Sequence, residues 1–379
     1  MTSGPKNSRR RSSADLLLRR ALILAAGGRW GASPNPMVGA VVVQAGEVVG
    51  EGWHVRPGEP HAETIALAAA GEAARGATLF VNLEPCAHHG RTPPCTDAVI
   101  AAGVARVVAC HVDPDPRVRG QGFARLAAAG IEVEVGRQLE TAVKLNWQYL
   151  VRQVLGRPAV TVKWAMSLDG RIALATGESQ WLTAAPARRH ALMLREEHDA
   201  ILVGSGTVLA DDPRLTRRLG LVSRSHHRVV LDRRLRLPAT ARLFTETGPV
   251  LVYTETDERE RRAAIEAAGG EVVCLPEVTP AAVLADLAAR GVASVLVEGG
   301  SEVAAAFVAA GCYDRVEALI APLLLGGREA PGPLGGSGSG SLAGAPRLEA
   351  TSILKLGPDL LFRGFRPGCL PDLSASLAG

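Results

Sequence analysis

The sequence predicts an α/β protein of two domains, and three observations lead to this fold class. The chain has 379 residues, more than one hydrophobic core usually serves. In both halves, short β-branched runs alternate with helical stretches, as in layered α/β domains with a partly parallel sheet. Between the halves, Gly156-Arg157-Pro158 ends a helical stretch before a new β-rich run. We therefore expect domains over residues 14–157 and 158–379, after a disordered basic tail over 1–13.

The first half predicts a mixed series of helices and strands without an internal repeat. A helix from about Asp15 to Gly28 precedes a hairpin, "MVGAVVVQAGEVVGEGW", whose strands meet at Ala45-Gly46. A helix from about His61 to Ala74 leads to the strand "ATLFVNL" and a loop with two cysteines. Two helix–strand pairs follow, "CTDAVIAAGVARVVACHVDP" and "GFARLAAAGIEVEVG". One helix, "ETAVKLNWQYLVRQVL", ends the half.

The second half alternates in the same way. Its strands are expected in "AVTVKWAMSLDG", "DAILVG", "HRVVLD", "GPVLVYT", "EVVCLP" and "SVLVEGG", with helices between several of them. A later stretch, "APGPLGGSGSGSLAGAP", is too polar and flexible to pack. We expect it to be a mobile surface loop within the second domain.

The charge distribution argues against a nucleic-acid substrate. The net charge is +4, but the first twenty residues alone carry +5, so the remainder sums to −1. Aromatic residues make up 4% of the chain. A nearly neutral body with few aromatics lacks the basic surface and the stacking side chains of nucleic-acid binders. Free small molecules are the expected substrates.

Cysteine usage and hydropathy predict a cytoplasmic protein that does not enter a membrane. Six cysteines in a chain of this length are too few for a disulfide framework, which favours a reducing compartment. The basic start with a short apolar run imitates a signal peptide, but Arg19 and Arg20 interrupt the run. No stretch approaches the roughly 20 apolar residues of a membrane span. Four cysteines are expected to be ordinary residues: Cys110, Cys274, Cys312 and Cys369.

One constellation in the first half predicts a catalytic zinc site. Catalytic zinc commonly takes three protein ligands, and His61, Cys86 and Cys95 supply that number. Glu63 follows the histidine by two residues, as in the His-x-Glu and Pro-Cys pattern of zinc deaminases. Bound zinc makes water a nucleophile near neutral pH, and Glu63 is then the expected proton shuttle.

A structural role for this site is the alternative. His88 or His89 could complete a closed zinc site, or the cysteines could simply be buried. Closed sites usually use cysteine pairs two to four residues apart, whereas Cys86 and Cys95 are nine apart. A closed site would also leave Glu63 without a role. If Cys95 begins a helix, the wide spacing remains compatible with one metal.

Several longer motifs resemble one family. "SPNPMVGAVVV", "HAE" and "EPCAHHGRTPPC" in the first half, with "KWAMSLDGRIA", "GESQWLT", "ILVGSGTVLADDPRLTRR" and "LVEGGSEVAAAF" in the second, resemble the bifunctional deaminase/reductase family of riboflavin biosynthesis. The likeness extends from about residue 14 to residue 366. It implies a cytidine-deaminase-like three-layer domain followed by a dihydrofolate-reductase-like domain, and an oligomer of two or four chains.

The resemblance also implies two consecutive reactions. The first domain would deaminate 2,5-diamino-6-(5-phosphoribosylamino)pyrimidin-4(3H)-one with zinc. The second would reduce the ribosyl group with NADPH and give 5-amino-6-(5-phosphoribitylamino)uracil. The expected partner is therefore a small pyrimidine ribosyl-phosphate, without a nucleic acid or membrane.

In the deaminase half, the family's zinc ligands correspond to His61, Cys86 and Cys95, and its proton shuttle corresponds to Glu63. Four residues match positions near the substrate, of which the arginine suits a phosphate: Asn35, His54, His88 and Arg91. Taken alone, Asn35 could be a turn residue, and His54 and His89 could be solvated loop histidines.

In the reductase half, the resemblance implies two residue sets. The substrate set is Ser179, Arg195, Leu215, Arg218 and Glu298. The cofactor set is Ala165, Trp181, Thr207, Asp211, Gly300 and Ser301. The strand, glycine turn and helix of "LVEGGSEVAAAF" can independently hold a phosphate on backbone N–H groups.

Some readings of the second half stay open. "GSGTVLA" lacks the third glycine of a Rossmann fingerprint and could be an ordinary strand-to-helix turn, and Asp211 could belong to a helix-ending cap. Lys163 is a candidate for substrate binding or proton handling, or else an exposed strand lysine. Arg233-Arg234 departs from the family after Leu231-Asp232 and leaves the cofactor-phosphate contacts open.

Two other functions compete with the enzyme reading. One is a deaminase of a base within RNA, with the second half as a binding module, which the neutral body disfavours. The other is a non-enzymatic interaction protein stabilised by zinc, whose first domain would unfold on chelation.

Overall fold

The computed structural model describes residues 13–90 and 92–371. The chain divides into two compact units, the first reaching Val154 and the second comprising Leu155–Leu370. Each unit has its own β-sheet with helices around it, so the predicted α/β class is confirmed. Within the described ranges, no helix combines the length and the apolar character that a bilayer span requires.

The first unit is built on a five-stranded mixed sheet of order β2-β1-β3-β4-β5. Strand β1 runs antiparallel to both of its neighbours, and β3, β4 and β5 are parallel. The strands are β1 (Gly39–Gln44), β2 (Glu47–Trp53), β3 (Thr78–Val81), β4 (Arg106–Ala109) and β5 (Glu132–Val135). The helices are α1 (Ser13–Ala25), α2 (Ala62–Ala70), α3 (Cys95–Ala101), α4 (Gln121–Ala128), α5 (Leu139–Leu145) and α6 (Trp147–Leu155).

Helices cover both faces of this sheet. Because successive strand residues point to opposite faces, Val42 and Val41 belong to different cores. Val42 packs in a cluster that includes Ala66 of α2 and Leu126 of α4. Val41 packs in a second cluster with Leu22 of α1. The result is the three-layer arrangement expected for this half.

The prediction of a single helix over "ETAVKLNWQYLVRQVL" is wrong. Asn146 interrupts it with φ −97° and ψ 18°, so α5 and α6 are separate. The Asn146 carboxamide is hydrogen-bonded to the Met37 backbone, a contact that helical periodicity cannot reveal. Two other predicted helices continue as short 3-10 helices, Ala26–Trp30 and Gly71–Ala74.

The second unit contains a nine-stranded sheet of order β10-β9-β8-β7-β11-β6-β12-β14-β13. The strands are β6 (Ala159–Ser167), β7 (Ala200–Gly204), β8 (His227–Leu231), β9 (Val250–Thr254), β10 (Gly270–Cys274), β11 (Ser294–Val297), β12 (Arg315–Ala321), β13 (Glu349–Leu356) and β14 (Asp359–Phe365). The helices are α7 (Ala185–Glu197), α8 (Ser205–Asp211), α9 (Arg259–Ala267), α10 (Pro280–Ala289) and α11 (Ser301–Ala309), with a 3-10 helix at Arg242–Thr245.

Seven neighbouring strands, from β10 to β12 in the sheet order, are parallel, and β14 and β13 complete the sheet in antiparallel orientation. The sequence did not predict β12, β13 and β14. In parallel α/β sheets, ligands bind beyond the carboxyl ends of the strands. Strands β6, β7 and β11 therefore direct the segments that follow them toward one edge.

The Gly/Ser-rich loop lies between β12 and β13, and its first part is hydrogen-bonded to the unit. Ile172 N donates to the Pro331 carbonyl at 3.0 Å, and Gly335 N donates to the Ser301 carbonyl at 3.1 Å. Gly336 N donates to Glu302 Oε1 at 3.2 Å. The expectation that the whole loop is too polar to pack is therefore wrong for its beginning, because backbone N–H groups replace the missing apolar contacts.

Candidate active sites

Three side chains that could hold a metal ion converge in the first unit. His61 immediately precedes α2, Cys86 lies in the loop after β3, and Cys95 begins α3. Their ligand atoms all lie within 4.8 Å of one another. His61 Nδ1 is 3.0 Å from Cys95 Sγ and 3.5 Å from Cys86 Sγ. One imidazole nitrogen and two sulfurs at this spacing fit a single zinc ion.

The group has the composition of an open site. Among the described residues, neither His88 nor His89 belongs to it, although both lie in the loop between the cysteines. Three protein ligands leave one coordination position for water or substrate. The geometry therefore favours the catalytic interpretation over the closed structural one.

Thr92 orients the metal-ligating histidine. Its Oγ1 lies 3.2 Å from His61 Nε2, while His61 Nδ1 faces the two sulfurs. A hydrogen bond to the second ring nitrogen fixes the tautomer and the ring plane of a metal-bound histidine. Sequence reasoning missed Thr92, because threonine in a loop has no distinctive spacing.

The cysteines and Glu63 are electrostatically linked. A hydrogen bond from the Cys95 thiol, and then one from His61, lowers the pKa of Cys86 and favours its thiolate, whereas the same bond between the cysteines, together with burial, raises the pKa of Cys95. Glu63 lies in the first turn of α2 and is 3% exposed. Burial raises the pKa of Glu63, and its carboxyl group contacts the Cys95 thiol. A buried carboxyl group beside the ligands suits proton transfer.

Asn35 and His54 form a polar wall next to the metal group. The His54 ring lies 5.2 Å from the His61 ring, and Asn35 Nδ2 lies 3.1 Å from His54 Nε2. His54 Nδ1 donates to the Pro60 carbonyl at 3.3 Å, which leaves Nε2 to accept from Asn35. His54 is 2% exposed, so the alternative interpretation of His54 as a solvated loop histidine is wrong.

Two further asparagines hold the segment that carries Asn35. Asn82 Nδ2 and Asn146 Nδ2 each donate to the Met37 carbonyl at 2.9 Å. Asn82 Oδ1 also accepts from Gly39 N at 2.8 Å. Neither was singled out from the sequence, because their function depends on a contact between distant parts of the chain.

The loop between the cysteines carries the remaining predicted deaminase residues. Arg91 lies outside the described residues. His88 is partly buried, and its Nδ1 has no hydrogen-bond partner within the described part of the chain. A buried ring nitrogen of this kind can still accept or donate a bond to a ligand. His89 is exposed, as expected for a solvated loop histidine.

In the second unit, a charged cluster lies beyond the carboxyl end of β11. Arg195 Nε donates to Glu298 Oε2 at 2.9 Å, and Arg195 Nη1 donates to the Thr216 carbonyl at 3.2 Å. The Glu298 side chain is only 6% exposed. Burial opposes its ionisation, but the charges of Arg195 and Lys163 hold the pKa of Glu298 below its ordinary value. Lys163 is partly buried on β6, so the alternative of an exposed strand lysine is wrong, and burial lowers its pKa.

Three predicted cofactor residues come together at the start of α11. Gly300 adopts φ +79° immediately before the helix, which begins at Ser301. A Cβ placed on Gly299 would lie 2.8 Å from Thr207 Oγ1, so α8 packs closely on this turn. Exposed N–H groups at a helix start, beside a hydroxyl group, form a suitable phosphate cradle.

The other predicted residues lie around these two features. Trp181 is 72% exposed, and the Arg188 guanidinium stacks 5.0 Å above its ring. Leu215 is buried with φ +51°, so only its backbone could meet a substrate. The remaining positions are Ala165 on β6, Ser179 before α7, Asp211 at the end of α8 and exposed Arg218 after Leu215.

Known proteins match both halves of the chain. The family model described as the RibD C-terminal domain matches residues 158–362. The model described as the cytidine and deoxycytidylate deaminase zinc-binding region matches residues 11–111. The riboflavin biosynthesis protein RibD of Synechocystis is 43% identical over 353 residues, which is 93% of this chain and 96% of the relative.

Two solved structures are similar over the same extent. Acinetobacter baumannii RibD, form 1, has a TM-score of 0.84 and 36% identity, over 93% of this chain and 98% of that chain. A diaminohydroxyphosphoribosylaminopyrimidine deaminase/5-amino-6-(5-phosphoribosylamino)uracil reductase of Thermotoga maritima has the same TM-score, identity and coverage. The resemblance inferred from the motifs is confirmed, together with both predicted domain classes.

Proposed function

Because this chain belongs to the RibD family of riboflavin biosynthesis proteins, we propose which of its residues perform the two reactions. The chain is a bifunctional enzyme. It deaminates 2,5-diamino-6-(5-phosphoribosylamino)pyrimidin-4(3H)-one with zinc, and it reduces the ribosyl side chain with NADPH to give 5-amino-6-(5-phosphoribitylamino)uracil. We assign the deaminase to residues 14–157 and the reductase to residues 158–379.

The convergence of His61, Cys86 and Cys95 beside buried Glu63 is the observation that carries the deaminase assignment. These three side chains hold the zinc ion in our proposal. When bound, zinc supplies Lewis acidity that makes water a nucleophile at neutral pH. Glu63 accepts the first proton of the attacking water and delivers it to the ring nitrogen of the pyrimidine; it then takes the second proton from the hydroxyl group newly attached to the ring carbon and passes it to the departing amino group.

Substrate recognition by the deaminase is assigned to the polar wall and the cysteine loop. Since the Asn35 amide nitrogen is bonded to His54, its Oδ1 can accept from an N–H group of the pyrimidine. His54 fixes the orientation of that amide, and His88 offers a ring nitrogen. Arg91 binds the substrate phosphate in this proposal, because a guanidinium group makes charge-assisted bidentate contacts.

The reductase assignment starts from the turn before α11. Gly300, Ser301 and Thr207 hold a cofactor phosphate, and three further residues contact the cofactor: Ala165, Trp181 and Asp211. When bound, NADPH supplies the hydride, and the protein orients the sugar against it.

Substrate binding in the reductase is assigned to the charged cluster and its surroundings. Glu298 fixes the Arg195 guanidinium through their ion pair. Lys163 shares this cluster and can move a proton, because burial lowers its pKa. Exposed Arg218 suits the substrate phosphate. Ser179 and the backbone of Leu215 complete the set.

We further propose a homo-oligomer of two or four chains in the cytoplasm. Strand β13 is the outermost strand of the large sheet and is almost entirely exposed on both faces. Ile353 and Leu354 on it are 66% and 45% exposed. An apolar strand edge of this kind can pair with another chain. The six free cysteines support a reducing compartment.

The decisive experiment follows both products by mass. The protein is incubated with the diaminopyrimidine phosphate, with and without NADPH. Wild type should release ammonia in both cases and form the ribityl product only with NADPH. Glu63→Gln should release no ammonia but should still oxidise NADPH on pre-deaminated substrate.

Glu72→Gln, an exposed carboxylate shortly after α2, serves as the matched control and should behave like wild type. Normal ammonia release by Glu63→Gln would contradict the assigned role of Glu63. Deamination of tRNA, but not of the free pyrimidine, would favour the RNA deaminase instead.

A further inference from the structure

Glu84 is a buried carboxylate two residues before Cys86, and neither reaction described above uses it. It is 3% exposed. Its Oε2 accepts hydrogen bonds from Asp113 N at 3.1 Å and Gly120 N at 2.9 Å. Its Oε1 accepts from Gly122 N at 2.8 Å and from Phe123 N at 3.4 Å. One side chain thus joins the loop after β3 to the loop after β4 and to the first turn of α4.

The hydrogen bonds to Glu84 supply the N-terminal cap that α4 lacks. The first N–H groups of a helix have no partners within it. The residue before α4 is Gly120, which has no side chain that could cap them. The Glu84 carboxylate accepts from these groups and places negative charge at the positive end of the helix. A buried carboxylate is costly without such partners, so the two features stabilise each other.

The backbone next to Glu84 is packed against the same helix turn. A Cβ on Gly122 would lie 2.0 Å from the Pro85 carbonyl oxygen. Residue 122 must therefore be glycine if Pro85 is to keep its position. The hydrogen bonds and this close approach fix the two residues that immediately precede Cys86.

Cys86 is also held from the side of α3. Thr96 N donates to the Cys86 carbonyl at 3.2 Å, and Cys95 N donates to Cys86 Sγ at 3.3 Å. On the other side of Cys86, the chain is held at Glu84: its backbone N–H donates to the His111 carbonyl at 3.1 Å, and its side chain binds the start of α4.

We propose that Glu84 is a positioning residue for the Cys86 thiolate, acting with Gly122, and that it slows the release of zinc. The inference rests on the proposed ligand set. In Glu84→Gln, an amide NH2 group faces one pair of backbone N–H donors, so two of the bonds are lost. In Gly122→Ala, the new methyl group displaces Pro85. Both changes act on residues 84 and 85, which directly precede Cys86.

The test measures zinc release from the full-length, zinc-loaded protein to a chromogenic chelator. Glu84→Gln and Gly122→Ala should each release zinc roughly tenfold faster than wild type, the usual effect of losing a residue that orients a metal ligand. After cobalt substitution, the thiolate-to-cobalt absorption band should shift in both variants. The far-ultraviolet circular dichroism and the temperature at which the first unit unfolds should stay close to those of wild type, which shows that the first unit of each variant has folded, and NADPH oxidation on pre-deaminated substrate should be unchanged.

Glu132→Gln, an exposed carboxylate on β5, is the matched control and should release zinc like wild type. Release within a factor of two of wild type by both folded variants would overturn the inference. Stoichiometric zinc in Cys86→Ser with an unchanged cobalt band would instead refute the ligand set, and the role of Glu84 with it.

Discussion

The carboxamide of Asn146 hydrogen-bonds both backbone polar groups of Met37. Met37 N donates to Asn146 Oδ1 at 2.8 Å, and Asn146 Nδ2 donates to the Met37 carbonyl at 2.9 Å. This contact closes a loop of more than a hundred residues and fixes the chain two residues after Asn35. Under the proposed assignment of Asn35 to the pyrimidine, Asn146 therefore supports the deaminase substrate site.

Replacing Asn146 with alanine should weaken pyrimidine binding. We expect Asn146→Ala to raise the KM of deamination severalfold and to lower the free energy of unfolding by about 1 kcal/mol, because the partly buried Met37 N–H group loses its partner while the Met37 carbonyl keeps only Asn82. Steady-state ammonia release and denaturant unfolding measure the two effects. The control is Gln44→Ala, which removes an exposed hydrogen bond from the Gln44 side-chain amide to the Arg75 carbonyl. An unchanged KM would refute the supporting role.

Chelation should separate the two activities. Both cores of the first unit consist of packed apolar side chains, so we expect its fold to survive metal removal. A strong zinc chelator should abolish ammonia release, while NADPH oxidation on pre-deaminated substrate and the far-ultraviolet circular dichroism should persist. Loss of the dichroism would favour the closed, structural zinc site.

Removing the charge of Glu298 should impair only the reductase. In Glu298→Gln, Arg195 and Lys163 remain without their counter-charge. Breaking a buried ion pair typically costs about 3–5 kcal/mol, and we expect the rate of NADPH oxidation to fall at least about tenfold. Glu271→Gln, which alters an exposed pair with Arg290, should have little effect. Normal reduction by Glu298→Gln would exclude this cluster from the reaction.

Asp113 should make stability depend on pH. Burial raises the pKa of Asp113 to about 7, against the bonds that it accepts from Asp115 N and the Tyr149 hydroxyl group. Between pH 4 and pH 7 the folded state therefore keeps a proton that the unfolded state has lost. The contribution of Asp113 to stability falls as the pH rises through this window, by on the order of 4 kcal/mol at most.

Asp113→Asn mimics the protonated carboxyl group, so its Tm relative to wild type should rise from pH 5 to pH 8. Thermal unfolding of both proteins at each pH checks this, and the comparison cancels any effect of pH on zinc. A constant difference between the two proteins would show that Asp113 titrates normally.

A charge on the outer strand of the large sheet should dissociate the oligomer. Ile353→Lys places an ammonium group on β13, and charged residues on an edge strand prevent pairing between chains. Analytical ultracentrifugation should show a smaller species than wild type. Ile23→Lys, on α1 and 74% exposed, is the control. An unchanged mass would show that β13 is not the interface.

The sequence revealed the metal group because its chemistry lies in short motifs. His61 and Glu63 share one helix start, and Cys95 begins the next helix, so spacing alone indicated both ligand type and proton shuttle. Glu298 and Arg195 could be named from the resemblance to the family, but the ion pair between them could not be predicted. That pair depends on the strand order across the sheet.

What the sequence could not reveal depends on long-range contacts. The helix break at Asn146 follows from a bond to Met37, not from local propensity. Strand β13 has no buried face, so the alternation that identifies most strands is absent from it. The sequence did not single out Glu84, because only the folded chain brings its carboxylate to the start of α4.

The division of the chain into two compact units has a consequence for the cell. Each translated copy contains one deaminase and one reductase, so their ratio is fixed at one to one and cannot be adjusted by gene expression. Any balance between producing and consuming the deaminated intermediate must then come from the turnover numbers of the two sites. A substitution that slows the second unit alone would be expected to make the cell accumulate that intermediate.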